Sequence, residues 1–66
     1  MTDRFALIAR KNEVRRRIER VMSALERARA LPAERQDRRR IAGWERELET
    51  LTAEEYTLRL AIDRSA

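Results

Sequence analysis

The chain has 66 residues, 42% of them charged, and its 16 basic residues against 12 acidic ones give a net charge of +4. It contains no cysteine and no histidine, which excludes disulfides and thiolate metal sites and removes the commonest general base. A chain this short buries little apolar surface, so we expect it to need long helices, a partner or a second copy for stability.

The sequence carries no recognisable signal for secretion or membrane insertion. Residues 1–9 include Asp3 and Arg4 and contain no long apolar run, so no signal peptide is predicted. No stretch approaches the roughly 20 apolar residues that cross a bilayer. We therefore expect no membrane contact and a place in the cytoplasm, or in a particle assembled there such as a phage.

The first half of the chain carries a heptad repeat that predicts a helix from about residue 2 to residue 31. Thr2 is the expected N-cap, and Asp3 in the first turn would favour the helix dipole. Six of the eight a and d positions are apolar, which is typical of a coiled-coil seam. These eight positions are Arg4, Leu7, Lys11, Val14, Ile18, Val21, Leu25 and Ala28.

A break is predicted at Leu31-Pro32, because proline lacks a backbone donor and disfavours helical geometry in the residue before it. Pro32 suits the first position of a second helix, which we predict from about residue 33 to residue 64, with the turn at residues 31–33. The a and d positions of this helix are apolar except for Glu55. They are Ile41, Trp44, Leu48, Leu51, Glu55, Leu58 and Ile62.

Two features of the second segment leave its detail open. Thr52 and Glu55 match a capping box, so an alternative is a third helix that starts at Ala53, although the heptad crosses this site without a change of phase. Gly43 is the one weak helix former. It either admits a close neighbour beside Trp44 or is simply tolerated.

Equal helix lengths and a short turn predict an all-α fold, a two-helix antiparallel coiled-coil hairpin that covers residues 1–66. Two copies could pair into a four-helix bundle. Folding at the proline places Val14 near Leu51 and Val21 opposite Trp44. Trp44 is therefore predicted to be a core anchor and not a ligand-stacking residue.

The charge distribution favours the same register. Residues 10–20 hold six basic and two acidic side chains, a net of +4, whereas residues 44–55 hold one basic and five acidic side chains, a net of −4. These two blocks face each other in the hairpin. Each exposed pair contributes little, but together the pairs favour the antiparallel arrangement over a parallel one.

The first candidate binding surface is the open end of the hairpin, where the two chain termini lie. Phe5, Ile8, Tyr56 and Leu60 fall outside the heptad seams, and the register places Ile8 beside Tyr56 and Phe5 close to Leu60. Exposed apolar side chains gathered at one place usually mark a contact site. The alternative is that these four residues widen the intramolecular core where the helices end.

The second candidate surface is the turn end, where six arginines and three carboxylates give a net of +3. Such a cluster suits phosphate or an acidic protein, although a solvated turn with local ion pairs is the plainer interpretation. No aromatic residue lies between Leu25 and Gly43 to stack on a base. The arginines are Arg27, Arg29, Arg35, Arg38, Arg39 and Arg40, and the carboxylates are Glu26, Glu34 and Asp37.

The sequence contains no recognisable catalytic constellation. No cysteine or histidine can act as nucleophile or base, no glycine-rich loop can hold phosphate, and no set of carboxylates completes a metal shell. We therefore predict no enzyme activity, metal, cofactor or small-molecule substrate. The favoured function is a protein-interaction module that acts as an adaptor, particle component or small inhibitor, through a protein partner or self-association. The alternative is a nucleic-acid-binding hairpin that uses the arginine-rich turn end.

Overall fold

Two long helices account for most of the chain in the computed structural model, which describes residues 3–65. Helix α1 spans Arg4–Ala30, a single 3₁₀ turn spans Ala33–Arg35, and helix α2 spans Arg38–Arg64. The two helices pack against each other along their length, and residues 3–65 contain no strand. The predicted all-α helical hairpin is thereby confirmed. It is a rod with extents of 51 × 14 × 13 Å.

The start of α1 is fixed by Asp3. Its carboxylate accepts a hydrogen bond from the backbone N–H of Phe5 at 3.0 Å, which satisfies a donor that has no partner inside the helix. Asp3 is therefore the N-cap. The sequence had predicted that it would lie in the first turn, and this prediction was wrong. The expected cap, Thr2, lies outside the described residues.

The turn is longer than the predicted residues 31–33. Leu31 is extended, as expected of a residue before proline. Pro32, however, begins only the short 3₁₀ turn, after which the backbone extends again at Gln36. The prediction that α2 starts near residue 33 was wrong, because Pro32 starts a turn that is not continued as an α-helix.

Side-chain hydrogen bonds explain where the two helices meet the turn. Asp37 is the N-cap of α2, and its carboxylate accepts from the backbone N–H of Arg40 at 3.1 Å. Gln36 reaches the other helix: its side-chain amide donates to the carbonyls of Arg29 at 3.2 Å and Leu31 at 2.8 Å. These bonds satisfy backbone groups that the helix ends leave without partners. The start of α2 therefore depends on the Asp37 cap, whereas the end of α1 lies where the proline predicts it.

The hydrophobic core is a single narrow seam between the helices. Its buried cluster consists of Val14, Val21 and Leu25 from α1 and Leu51 from α2. Trp44 is partly buried, packs against this cluster and lines the same hollow as Val21, which agrees with its predicted place opposite that residue. The other partly buried apolar residues packed on the cluster are Ile18, Ile41, Leu48 and Leu58.

Within residues 3–65, three ion pairs join the helices and define two flanks of the seam. Arg10 and Arg17 occupy g positions of α1 and pair with g positions of α2, at Glu54 (2.9 Å) and Glu47 (2.6 Å) respectively. The third pair joins two e positions, Arg29 and Glu45, at 3.4 Å. Pairs between like heptad positions are expected when two helices run in opposite directions, since g then faces g on one flank of the seam and e faces e on the other.

One of these ion pairs shifts the pKa of Arg10. The hydrogen bond from Arg10 to the carboxylate of Glu54, together with the attraction between the two charges, raises the pKa of the Arg10 guanidinium above its ordinary value. Arg10 also contacts Glu13 on its own helix at 3.4 Å. Arg10 is exposed and Glu54 is partly exposed, so the Arg10–Glu54 contact specifies register more than it stabilises the fold.

The two open questions about the second segment are resolved by α2 itself. The helix runs without interruption through residues 52–55, so no third helix starts there. Thr52 does not act as a cap, because its hydroxyl donates to the carbonyl of Leu48 at 2.8 Å. A Cβ atom built on Gly43 would meet nothing within 4 Å. Gly43 therefore admits no close neighbour and is simply tolerated in the helix.

Candidate interaction surfaces

The open-end patch consists of Phe5, Ile8, Tyr56 and Leu60, and three of these side chains are exposed in the hairpin. Phe5 is 82% exposed, Tyr56 63% and Leu60 39%. Ile8 is partly buried, so the hairpin covers it in part. The intramolecular core therefore does not take up Phe5, Tyr56 or Leu60, contrary to the alternative in which all four widen it.

The heptad places the open-end patch on one flank of the hairpin. Ile8 is at an e position, three heptads before Arg29, and therefore lies on the flank that carries the Arg29–Glu45 ion pair. Phe5 and Tyr56 are at b positions, which neighbour e on the helix surface, and Leu60 is at the adjoining f position. The patch thus extends from this flank around to the outer surface of both helices.

The charges around the open-end patch nearly cancel. Residues 3–11 and 54–65 together carry five basic and four acidic side chains. Neither sign dominates, so the same surface on a second copy would not be strongly repelled. In the described part of the chain two other large apolar side chains are exposed, Met22 at 54% and Leu31 at 45%. Neither lies at the open end, where the other three are found.

The six predicted turn-end arginines do not form one group. Arg29 is held by Glu45, and Arg38 and Arg39 are exposed in the first turn of α2. The remaining three, Arg27, Arg35 and Arg40, line one cleft. Within residues 3–65 none of those three has an acidic partner at ion-pair distance.

We call this feature the turn-end cleft. It has a volume of about 420 Å³, within the range of roughly 300–1,000 Å³ that is common for ligand sites. We call the apolar part of its lining the floor and the basic part the rim. The lining holds a single carboxylate, Asp37, which already caps α2. The cleft is lined by Ala24, Arg27, Ala28, Leu31, Arg35, Asp37, Arg40 and Trp44.

Trp44 gives the turn-end cleft an aromatic wall. The guanidinium carbon of Arg40, one helical turn earlier, lies 5.1 Å from the centre of the indole. Cation–π contacts at such accessible sites contribute only about 0.5–1 kcal/mol, so a ligand could displace this one at small cost. The sequence prediction placed Trp44 in the core alone, whereas it belongs to both the core and the cleft.

A row of arginines leads away from the turn-end cleft along the outer face of α1. Arg16, Arg20 and Arg27, together with Glu19 and Ser23, line a shallow hollow there. Arg27 also lines the cleft, so the two features are continuous. At 1.5 Å per residue, Arg16 and Arg27 are about 16 Å apart along the helix. We refer to Arg16, Arg20 and Arg27 as the outer arginine row.

Sequence reasoning missed both the aromatic wall and the outer arginine row. The turn end was taken to stop at Gly43, one residue before Trp44. Arg16 and Arg20 were counted in the basic block of residues 10–20, which was predicted to face α2. Their spacing carried the signal that was overlooked: residues four, seven and eleven apart share a helix face. Arg16, Arg20 and Arg27 have this spacing and fall at c and f positions, which are not the a and d positions of the seam.

Two further findings concern the chemistry open to residues 3–65. No three acidic side chains among them converge closely enough to hold a metal ion. Neither of the two helices has a stretch long and apolar enough to cross a membrane.

Comparison with known proteins adds nothing to this picture: no protein-family model, curated protein or solved structure matches the chain.

Proposed function

We propose that the hairpin is a non-enzymatic protein-interaction module that docks through the open-end patch, with a second copy of the chain as its simplest partner. The observation that carries this proposal is the exposure of Phe5, Tyr56 and Leu60 at one end. Exposed apolar patches of this kind are characteristic of contact sites. An adaptor, a particle component or a small inhibitor in the cytoplasm would each use the hairpin in this way.

The thin core supports the same proposal. Of the apolar side chains in residues 3–65, only five are buried, and three of them come from α1. A chain of this length rarely gains enough stability from such a seam alone, and association is a common remedy. Covering the open-end patch would add apolar burial at about 25 cal/mol per Å². The nearly balanced charge around the patch makes a second copy an acceptable partner.

Sedimentation equilibrium from micromolar to millimolar concentration tests the proposal. The wild-type chain should associate, and a variant with Phe5→Gln, Tyr56→Gln and Leu60→Gln should remain monomeric. Its helicity should be retained at low temperature, because all three side chains are exposed, but its Tm should be lower because association no longer stabilises it. Ile8 is left unchanged because it is partly buried.

The matched control replaces exposed apolar residues outside the patch. Met22→Gln with Leu31→Gln should associate like the wild type, since both side chains are exposed away from the open end. A wild-type chain that stays monomeric throughout, or a control that loses association as completely as the patch variant, would contradict the proposal.

A further inference from the structure

We infer that the turn-end cleft is a second binding site, which accepts one unstacked base of a single-stranded nucleic acid while the outer arginine row holds the adjoining phosphates. This inference is independent of the open-end patch. It rests on three features that meet at Arg27: an apolar cleft with an aromatic wall, a basic rim whose arginines form no ion pair within residues 3–65, and a row of arginines that continues from it.

The composition of the cleft defines the chemistry of its occupant. A floor of Ala24, Ala28 and Leu31 beside the Trp44 ring suits a flat, weakly polar group. A rim of Arg27, Arg35 and Arg40 suits an anion held by forked guanidinium contacts. A nucleotide carries both groups on one unit. Proteins that bind single strands combine the same two elements, a basic track for the backbone and aromatic side chains for bases.

The Arg40–Trp44 contact provides a way for the base to enter. The guanidinium of Arg40 stands over the indole at 5.1 Å, and this contact is weak enough to exchange. In the bound state the base takes the place of the guanidinium on the ring, and Arg40 moves to the phosphate. The vacated cation–π contact is replaced by stacking, and the charge of Arg40 gains a partner it lacks among residues 3–65.

A single strand fits these observations better than the other anionic polymers. The bases of a duplex are stacked inside it and cannot reach the floor of the cleft. An acidic peptide would pair with the guanidinium groups of the rim. Its acidic residues carry no aromatic ring that could stack on Trp44, whereas each nucleotide carries both a base and a phosphate. The outer arginine row extends for about 16 Å beyond the cleft, which suits a continuous backbone more than an isolated anion.

The chain itself provides the probe, because Trp44 is its only tryptophan. Titration of the full chain with a short fluorescein-labelled oligouridine would be followed both by anisotropy of the label and, with unlabelled strand, by Trp44 emission. We expect binding accompanied by quenching of Trp44, because a stacked base contacts the indole. Binding of the oligouridine that leaves Trp44 emission unchanged would overturn the assignment of the cleft.

The decisive comparison uses two variants of equal charge. Replacing Arg27, Arg35 and Arg40 with glutamine should weaken binding by at least about tenfold and lower the salt slope by about 2, because each phosphate contact contributes roughly 0.7 on a single strand. The control, Arg38→Gln with Arg39→Gln and Arg46→Gln, removes the same charge outside the cleft and should retain affinity within about threefold. Equal losses in the two variants would show general attraction to polyanions and overturn the inference.

Two further arms separate stacking from charge. Trp44→Leu should weaken binding by about tenfold, as expected when a stacking aromatic is lost, whereas Trp44→Phe should recover most of the affinity. Circular dichroism of each variant would confirm that the hairpin remains folded. Tighter binding to a duplex, or to a glutamate-rich peptide of equal charge, than to the oligouridine would overturn the assignment of the ligand.

Discussion

Leu25 provides the sharpest test of the narrow core. It is 3% exposed, whereas Met22, three residues earlier on the same helix, is 54% exposed. Truncating a buried leucine to alanine costs about 2–5 kcal/mol, and the cost falls where the surroundings can collapse into the cavity. Leu25 belongs to a small buried cluster, and the apolar residues packed around that cluster are only partly buried. The surroundings can therefore close over part of the cavity, and we expect about 2–3 kcal/mol for Leu25→Ala.

This magnitude translates into a large change in melting temperature. A loss of 1 kcal/mol lowers the Tm of a domain of this size by about 4–8 °C, so Leu25→Ala should melt roughly 10–20 °C below the wild type. Met22→Ala should change the Tm by no more than a few degrees, since an exposed substitution stays within about 0.5 kcal/mol. Melting followed by circular dichroism at one fixed concentration measures both. Equal losses in the two variants would refute the register, because they would place Met22 in the core as well.

Three further predictions concern self-association, the glycine within α2 and the N-cap of α2. The Tm of the wild-type chain should rise with protein concentration, as mass action requires of a self-associating fold, and a constant Tm would speak against self-association. Gly43→Ala should raise the stability by about 0.5–1 kcal/mol in the same melts, since the added methyl group meets nothing; a loss instead would reveal a neighbour packed on that face. Asp37→Ala should cost about 0.5–2 kcal/mol through the lost cap of α2, while Asp37→Asn, which keeps an acceptor, should cost much less.

The helices and their register could be predicted because both depend on patterns that repeat. The a and d positions mark the seam over several heptads, and a one-residue error would expose Val14 or Leu51, which are both buried. The opposed charge blocks gave the same answer, and Arg10–Glu54 and Arg17–Glu47 are two pairs between those blocks. Repetition makes each position a check on the others.

The turn could not be predicted with the same success, because its geometry depends on single hydrogen bonds. Pro32 and Asp37 are both acceptable places to begin a helix, and the heptad does not reach back far enough to choose between them. The choice depends on the Asp37 cap and on the Gln36 amide, which reaches the carbonyl ends of α1. Such contacts form only once the two helices have been brought together.

The candidate surfaces were predicted unevenly for a related reason. Exposure of the open-end patch follows from the heptad alone, since b and f positions face away from a two-helix seam. The turn-end cleft is lined by residues of α1, the turn and α2, so the pattern of a single segment cannot predict it. Its aromatic wall is a residue that the heptad assigns to the core, and a side chain as large as tryptophan can serve both places.

The arginines show why the two surfaces should be regarded as separate. Arg10, Arg17 and Arg29 meet carboxylates across the seam and help to specify the hairpin. Among residues 3–65, Arg40 has no such carboxylate partner. It lies in the first turn of α2, where its charge stands at the positive end of the helix dipole and so opposes α2 locally. Departures from local preference are most often found where a site needs them. The turn-end cleft lies on the g flank near this end, and the open-end patch extends from the e flank at the other end of a rod 51 Å long. Occupants of the two surfaces would therefore not compete for space, and mutation of one surface should leave binding at the other intact.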